Sequence, residues 1–314
     1  PGPSRWSLPL PRGRSLELEA GRPRLMGVLN LTPDSFSDGG LWFDPSDPAR
    51  SVERGLALLE EGADLLDLGA ESTRPGGGTY GSGARTVPPE EELERLVPVL
   101  EGLRRATDAP LSVDTRKAAV ARTALEAGAD LVNDVSALGD PGMGFLVAEH
   151  GCPVILMHSR GDLRTMQRDI RFRDVVAEVR SELGEAANRA LAAGVARDRI
   201  VVDPGLGFGK TAEHNLALLG ALPELRSLGL PVLVGASRKS FLGAVTGEPP
   251  ERRLPGSLAA AAWACSGGAA ILRAHDAAET AGFLAVWQAI RREAGWGGDP
   301  AAAGPERAGG ERRS

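Results

Sequence analysis

The chain has 314 residues, 42% hydrophobic and 25% charged, with a formal net charge of −6 and a pI near 5.4. This is the composition of an ordinary soluble protein, and it argues against an extended nucleic-acid surface while leaving room for a local basic pocket. No apolar run reaches membrane-spanning length, and the Arg- and Pro-rich start, which opens on Pro1 as a trimmed or partial start would, lacks a secretory apolar region.

Short apolar runs alternate with helical patterns along the chain. Strands are predicted at Leu25–Leu31, Leu65–Ala70, Leu111–Asp114, Leu131–Val135, Pro153–His158, Ile200–Asp203, Pro231–Gly235 and Ala269–Arg273. Helices are predicted near 47–61, 90–105, 117–127, 141–150, 173–194, 213–228, 256–266 and 276–294. Most of the strands are apolar on both faces, as a parallel sheet covered by helices requires. Several helices end at a glycine just before the next strand, as at Gly62, Gly128 and Gly194. Eight such units predict an α/β fold of the (β/α)₈ TIM-barrel type over residues 25–295. Residues 1–24 form an N-terminal extension in which Ser15–Ala20 is expected to make a small hairpin with the segment after it, closing the barrel bottom. Residues 296–314, rich in Gly, Ala, Pro, Glu and Arg, are expected to be a disordered tail. Gly76–Pro89 carries three consecutive glycines and the only Tyr, and reads as a long βα loop.

Polar residues crowd the C-terminal strand ends, where barrel enzymes place their active sites. The first strand leads into Asn30-Leu-Thr-Pro-Asp-Ser-Phe-Ser-Asp38, a loop that Pro33 and the Gly39-Gly40 pair keep out of helix. The later ends carry Glu71-Ser-Thr-Arg74, Asp114, Asn133-Asp134, His158, Asp203, Ser237-Arg-Lys-Ser240 and Arg273-Ala-His275. Asp114, Asn133 and Asp203 suit a planar heterocycle with alternating donors and acceptors. Asn30, Arg74, Arg273 and His275 suit an anion, which arginine binds bidentately. Taken singly, Asp114 or Asp203 also reads as an N-cap or ion-pair partner, and Arg273 or His275 as a solvated helix start. Eight ends populated together favour a site. Of 36 basic residues only Lys117, Lys210 and Lys239 are lysines. Each comes just after a predicted strand, where a compact ammonium can do what a guanidinium cannot. At Lys117, the exposed start of a helix, arginine is nonetheless expected to be tolerated.

Three other readings fit less well. Gly205-Leu-Gly-Phe-Gly-Lys-Thr211 lacks the spacing of a Walker A loop. His150 and His158 have no zinc spacing, and Cys152 and Cys265 read as reduced core thiols, so the cytoplasm is the expected compartment. A glycosidase pair made of Asp114 and Asp203 would leave Asn30 and the anion cluster without a role.

The motifs Asn30–Gly40, Glu71–Gly76, Ser112–Thr115, Asn133-Asp134, Asp203–Lys210, Ser237–Ser240 and Arg273–Asp276 resemble, in order, the signature set of the dihydropteroate synthase family of pterin-binding barrels. The resemblance covers about residues 24 to 290. It implies a cytoplasmic homodimeric transferase of folate biosynthesis and a sulfonamide target, with no nucleic-acid or membrane partner. Such an enzyme joins 6-hydroxymethyl-7,8-dihydropterin diphosphate to 4-aminobenzoate, giving 7,8-dihydropteroate and diphosphate. It further implies that Asp114, Asn133, Asp203 and Lys239 hold the pterin, and that Asn30, Arg74, Arg273 and His275 bind the diphosphate. Mg²⁺ would be the cofactor, on Asn30. Phe36, Thr73, Pro75, Phe208 and Ser240 would form the aminobenzoate pocket, and Asp38 would act in catalysis with Lys239, Arg273 and His275. The chain departs from the family pattern at Ala70, where glycine is commoner, at Gly161–Thr165, which lacks a proline, and in the Gly76–Pro89 insert. A pterin-dependent methyltransferase domain would share the fold but would need neither the Thr-Pro-Asp-Ser-Phe-Ser loop nor the Arg-x-His pair. A non-catalytic pterin-binding paralogue would not need every catalytic position filled.

Overall fold

Residues one apart on the strands belong to different sides of the core. In the computed structural model, which describes residues 4–32, 47–71, 87–161 and 170–295, Met26, Leu65, Leu131, Ile155, Val201, Leu233 and Ile271 gather in one buried cluster. Their chain neighbours Leu25, Leu66, Val132, Val154, Val202, Val234 and Leu272 belong to another, packed against helices. Side chains alternate along a strand, so the first set faces the lumen and the second faces the helices.

The chain opens with β1 (Arg5–Leu10) and β2 (Arg14–Glu19), paired antiparallel from Arg5↔Glu19 to Leu10↔Arg14. Here the expectation needs correcting: Ser15–Glu19 pairs with the segment before it, because Pro11–Gly13 turns the chain back. Leu8, Leu10, Leu16 and Leu18 lie on one face of this hairpin and join the lumenal cluster, so they cap the barrel bottom. Buried Asp130 ties the hairpin down by accepting hydrogen bonds from Arg12 (2.5 Å), Arg14 and Arg104 (3.1 Å).

The barrel strands are β3 (Arg24–Asn30), β4 (Leu65–Gly69), β5 (Leu111–Asp114), β6 (Leu131–Asp134), β7 (Val154–Met157), β8 (Ile200–Asp203), β9 (Leu233–Val234) and β10 (Ile271–Ala274). They run parallel in the order β8-β7-β6-β5-β4-β3-β10-β9. A bridge between Val202 and Val232, with the Val202 N–H donating to Pro231 O at 3.0 Å, joins β8 to the segment before β9 and closes the cylinder. Only two residues of the expected Pro231–Gly235 run form regular strand; Pro231 has no N–H to give the ladder.

Helices α1 (Pro48–Glu60), α2 (Pro89–Ala106), α3 (Ala118–Glu126), α4 (Met143–His150), α5 (Val175–Ala192), α6 (Ala212–Gly220), α7 (Leu222–Leu225), α8 (Ser240–Thr246), α9 (Leu254–Ser266) and α10 (Ala277–Glu293) cover the sheet. The helix expected over 213–228 is broken at Ala221, where Pro223 cannot continue the ladder of α6 and instead starts α7. Helix α8 is additional to the helices expected from the sequence. It is seven residues long, buries Phe241 and Leu242, and stops at Gly247 in a left-handed conformation (φ 75°). The expected tail, and most of the Gly76–Pro89 loop, lie outside the described residues.

Candidate active site

One step above the apolar lumenal layer, the same inward register carries Asp67, Asn133, Asp203 and Arg273, with Asp114 arriving from β5. Arg273 bridges two carboxylates across the lumen: its Nε donates to Asp67 Oδ2 at 2.6 Å and its Nη2 to Asp114 Oδ2 at 3.1 Å. Asn133 Nδ2 donates to the same Asp67 oxygen at 3.0 Å. Two buried carboxylates facing one guanidinium leave an uncompensated negative charge. Burial and the Asp67 charge accordingly push the Asp114 carboxyl up to about 8, against the pull of Arg273. Asp67 Oδ1, Asp114 Oδ1, Asn133 Oδ1 and Ser112 Oγ are buried with no hydrogen-bond partner among the described residues. Buried polar atoms of this kind are matched by a partner in nearly all folded proteins, so this ring of acceptors is built to be completed by donors.

The rest of the mouth comes from loops. Asp203 Oδ1 accepts the Gly205 N–H at 2.7 Å. Burial raises the Asp203 carboxyl, with Lys239 opposing. The turn after Asp203 explains its own composition, since Gly205, Gly207 and Gly209 all have positive φ (64°, 84° and 61°). A Cβ on Gly205 would lie 1.8 Å from the His158 carbonyl oxygen. Lys239 Nζ donates to Leu206 O and stands 4.9 Å from the centre of the Phe208 ring. Phe208 is buried against Val135 and Met157.

Two loops are stapled together beside this pocket. His275 N donates to Ser237 Oγ at 3.2 Å, and Arg238, left-handed at φ 56°, pairs with Asp276. Ser240 is exposed at the start of α8, and Asn30 is half-buried at the top of β3. The sequence pattern groups Arg273 with Asn30, Arg74 and His275; the structure also pairs it with Asp67 and Asp114. The expected residues Phe36, Asp38, Thr73, Arg74 and Pro75 lie outside the described residues.

The stem of the second loop is held by Glu71. Its Oε1 accepts the Val87 N–H at 3.1 Å, and its Oε2 accepts from Arg116 (3.2 Å) and Lys117 (3.0 Å). Burial alone would raise the Glu71 carboxyl, but these two cations outweigh it and hold it low.

The family model described as "Pterin binding enzyme" matches residues 26–275, a span that includes every barrel strand but part of β3. The chain belongs to the pterin binding enzyme family. Dihydropteroate synthase of Synechocystis sp. is 43% identical over 286 residues, 90% of this chain and 96% of that one. Among solved structures, Yersinia pestis dihydropteroate synthase in a sulfonamide drug complex superposes with a TM-score of 0.83 at 41% identity, covering 91% of this chain and 99% of that one. Dihydropteroate synthase from Xanthomonas albilineans in complex with 7,8-dihydropteroate gives 0.76 at 46% identity, covering 88% and 96%.

In this member of the family, sequence reasoning missed Asp67. The signal was there: a single carboxylate inside the apolar run Leu65-Leu66-Asp67-Leu68 occupies the register of inward-facing Leu65, and a lone buried charge needs a partner. The expectation for Lys117 also needs correcting. It is not at an exposed helix start, because its ammonium lies between Glu71 and the fully buried Glu92. Both partners are distant in sequence, on the β4 end and on α2.

Proposed function

We propose that this protein acts as a dihydropteroate synthase, transferring the dihydropterin methylene group from 6-hydroxymethyl-7,8-dihydropterin diphosphate to 4-aminobenzoate. The observation that carries this reading is the ring of buried acceptors on Asp67, Ser112, Asp114 and Asn133 around Arg273. A pterin edge offers an amino group and a ring N–H, and Asp114 and Asn133 would take them. Asp203 and Lys239 would meet the remaining ring donors and the carbonyl oxygen.

Departure of diphosphate breaks the methylene C–O bond, with the electron pair leaving on oxygen. The electron-rich ring delocalises the positive charge that develops on the methylene carbon. The arylamine lone pair then forms the new C–N bond, and the amine loses a proton. His275, Arg74 and the outer edge of Arg273 would bind the departing charge, and Asp38 would stabilise the cation. Phe208 and Ser240, with Phe36, Thr73 and Pro75, would line the aminobenzoate pocket, where a sulfonamide would compete.

Magnesium fits as a cofactor on the chemistry of the donors. Asn30 offers one neutral oxygen, and Mg²⁺ ordinarily keeps several waters while taking one or two protein oxygens beside substrate phosphates. When bound there, the ion would neutralise charge on the diphosphate. A cytoplasmic homodimer completes the reading. The dimer is supported by exposed Leu216, Val245 and Trp263 on the neighbouring helices α6, α8 and α9.

The test measures diphosphate release from the pterin diphosphate with and without 4-aminobenzoate. Release coupled to dihydropteroate formation is expected; binding of the pterin without turnover would make the protein a non-catalytic binder.

A further inference from the structure

The Gly205–Thr211 motif is not a phosphate loop, and its lysine does not face a ligand. Lys210 is 3% exposed. Its ammonium is enclosed by protein acceptors: Phe208 O at 2.9 Å, Gly205 O at 3.0 Å, His158 O at 3.3 Å and His158 Nδ1 at 2.9 Å. Three of these are carbonyl oxygens: Gly205 and Phe208 lie in the turn of left-handed glycines, and His158 follows β7. Gly205 is the residue whose N–H orients Asp203, and Phe208 is the ring beneath Lys239.

We infer that Lys210 is a positioning residue, whose enclosed ammonium fixes the 203–210 turn and through it the Asp203 carboxylate and the Phe208 ring. The inference rests on the dihydropteroate synthase reading for what those two groups bind. Its geometry stands on its own.

A wire of side chains supports the ammonium. Lysine has only donors to offer, so His158 Nδ1 accepts, and the other ring nitrogen, Nε2, carries the proton and donates to Glu182 Oε2 at 2.9 Å. Burial and the Lys210 charge push His158 down to about 4, which keeps it neutral in this role. Glu182 sits on α5, on the outer side of the barrel, where Arg160 also holds it. Burial pushes Lys210 itself down to about 7; Asp203 and Glu182 support its charge, while Lys239 and Arg160 oppose it. His214 lies one turn further on in the same region, capped on Thr211.

The protonated ammonium shares three N–H groups among these four acceptors and the neutral amine has only two, so the turn should loosen as pH rises through the Lys210 pKa. Removing the Glu182 charge takes away support for the ammonium and moves that limb to lower pH.

The experiment is steady-state kinetics at saturating pterin diphosphate, varying 4-aminobenzoate over roughly pH 6 to 9, for wild type, Lys210→Met and Glu182→Gln. The KM for aminobenzoate should rise on the alkaline side in wild type, and Glu182→Gln should shift that rise to lower pH. Lys210→Met should raise KM by about 10-fold or more and remove its pH dependence, corresponding to a lost charged contact. Glu182 sits on the outer helix α5 and is partly exposed, so it decides the matter even if Lys210→Met does not fold. A limb that stays put in Glu182→Gln, or a folded Lys210→Met with wild-type KM, overturns the inference. Absence of any dihydropteroate from wild type would instead overturn the assigned activity.

Discussion

Asp67 organises the floor of the site, because one of its oxygens accepts from both Arg273 and Asn133. In Asp67→Asn the amide oxygen can still accept both bonds, but the charge paired with Arg273 is lost and an Nδ2 donor replaces the unpartnered Oδ1 acceptor. We expect pterin affinity to fall by roughly 10- to 100-fold, the cost of about 1–3 kcal/mol for a mismatched buried hydrogen bond. Calorimetric titration with a 6-hydroxymethylpterin would measure it, and unchanged affinity in a folded variant would remove Asp67 from the organising role. Lys117 makes a different point. Its ammonium neutralises Glu92, which is fully buried, and Glu71, which holds the loop stem. Lys117→Ala should therefore cost about 3–5 kcal/mol, the usual range when a buried charge loses its partner. Denaturant unfolding checks this, and a loss below about 1 kcal/mol, the scale of a surface pair, would restore the view of Lys117 as a solvated residue.

At the level of elements, the N-terminal hairpin does the work of a plug. TIM barrels fill their lumen with layers of side chains, and here the lowest layer needs Leu8, Leu10, Leu16 and Leu18 from outside the barrel. Leu8 is wholly buried. Leu8→Ala should cost about 2–5 kcal/mol through lost transfer energy and the cavity left behind. Chemical denaturation gives the number; a neutral result would mean that the hairpin rests on the barrel without sealing it. The loops at the opposite end are tied to each other by Ser237–His275 and Arg238–Asp276, so Lys239 is carried by a braced segment even though it lies on a loop.

Across the whole molecule the two ends of the lumen differ in kind: an apolar seal below, and above it three carboxylates, Asp67, Asp114 and Asp203, against Arg273 and Lys239. The surplus negative charge is relieved by a proton on Asp114, whose carboxyl is raised to about 8. This has a thermodynamic sign. A ligand that brings donors prefers the ionised carboxylate, so binding below about pH 8 must release a proton. Pterin affinity should rise with pH and level off above that value. Calorimetry in buffers of different ionisation heat would report the released proton; heats independent of buffer would contradict it. In the free protein the same group works the other way. Between its ordinary carboxylate value and about 8 the folded state holds the extra proton, so its contribution to stability falls as pH rises through that window.

Much of this was legible in the sequence because the determinants are local. Eight apolar runs separated by helical periodicity define the strands and helices, and the ends of those runs place Asn30, Asp114, Asn133, Asp203, Lys239, Arg273 and His275 at one rim of any barrel they form. The glycines of 205–209 announce left-handed backbone, although not what it encloses. Contacts between distant positions were decided only by the closed sheet. Arg273 meets Asp67 across 206 residues, Lys117 meets Glu71 and Glu92, and Lys210 meets His158. Periodicity tells which face a side chain takes, but not what stands opposite; that depends on register and on the curvature that brings β3 and β10 together. The direction in which Ser15–Glu19 pairs was misread for the same reason, since a leucine-faced strand can turn either way until the barrel bottom supplies the surface it must cover.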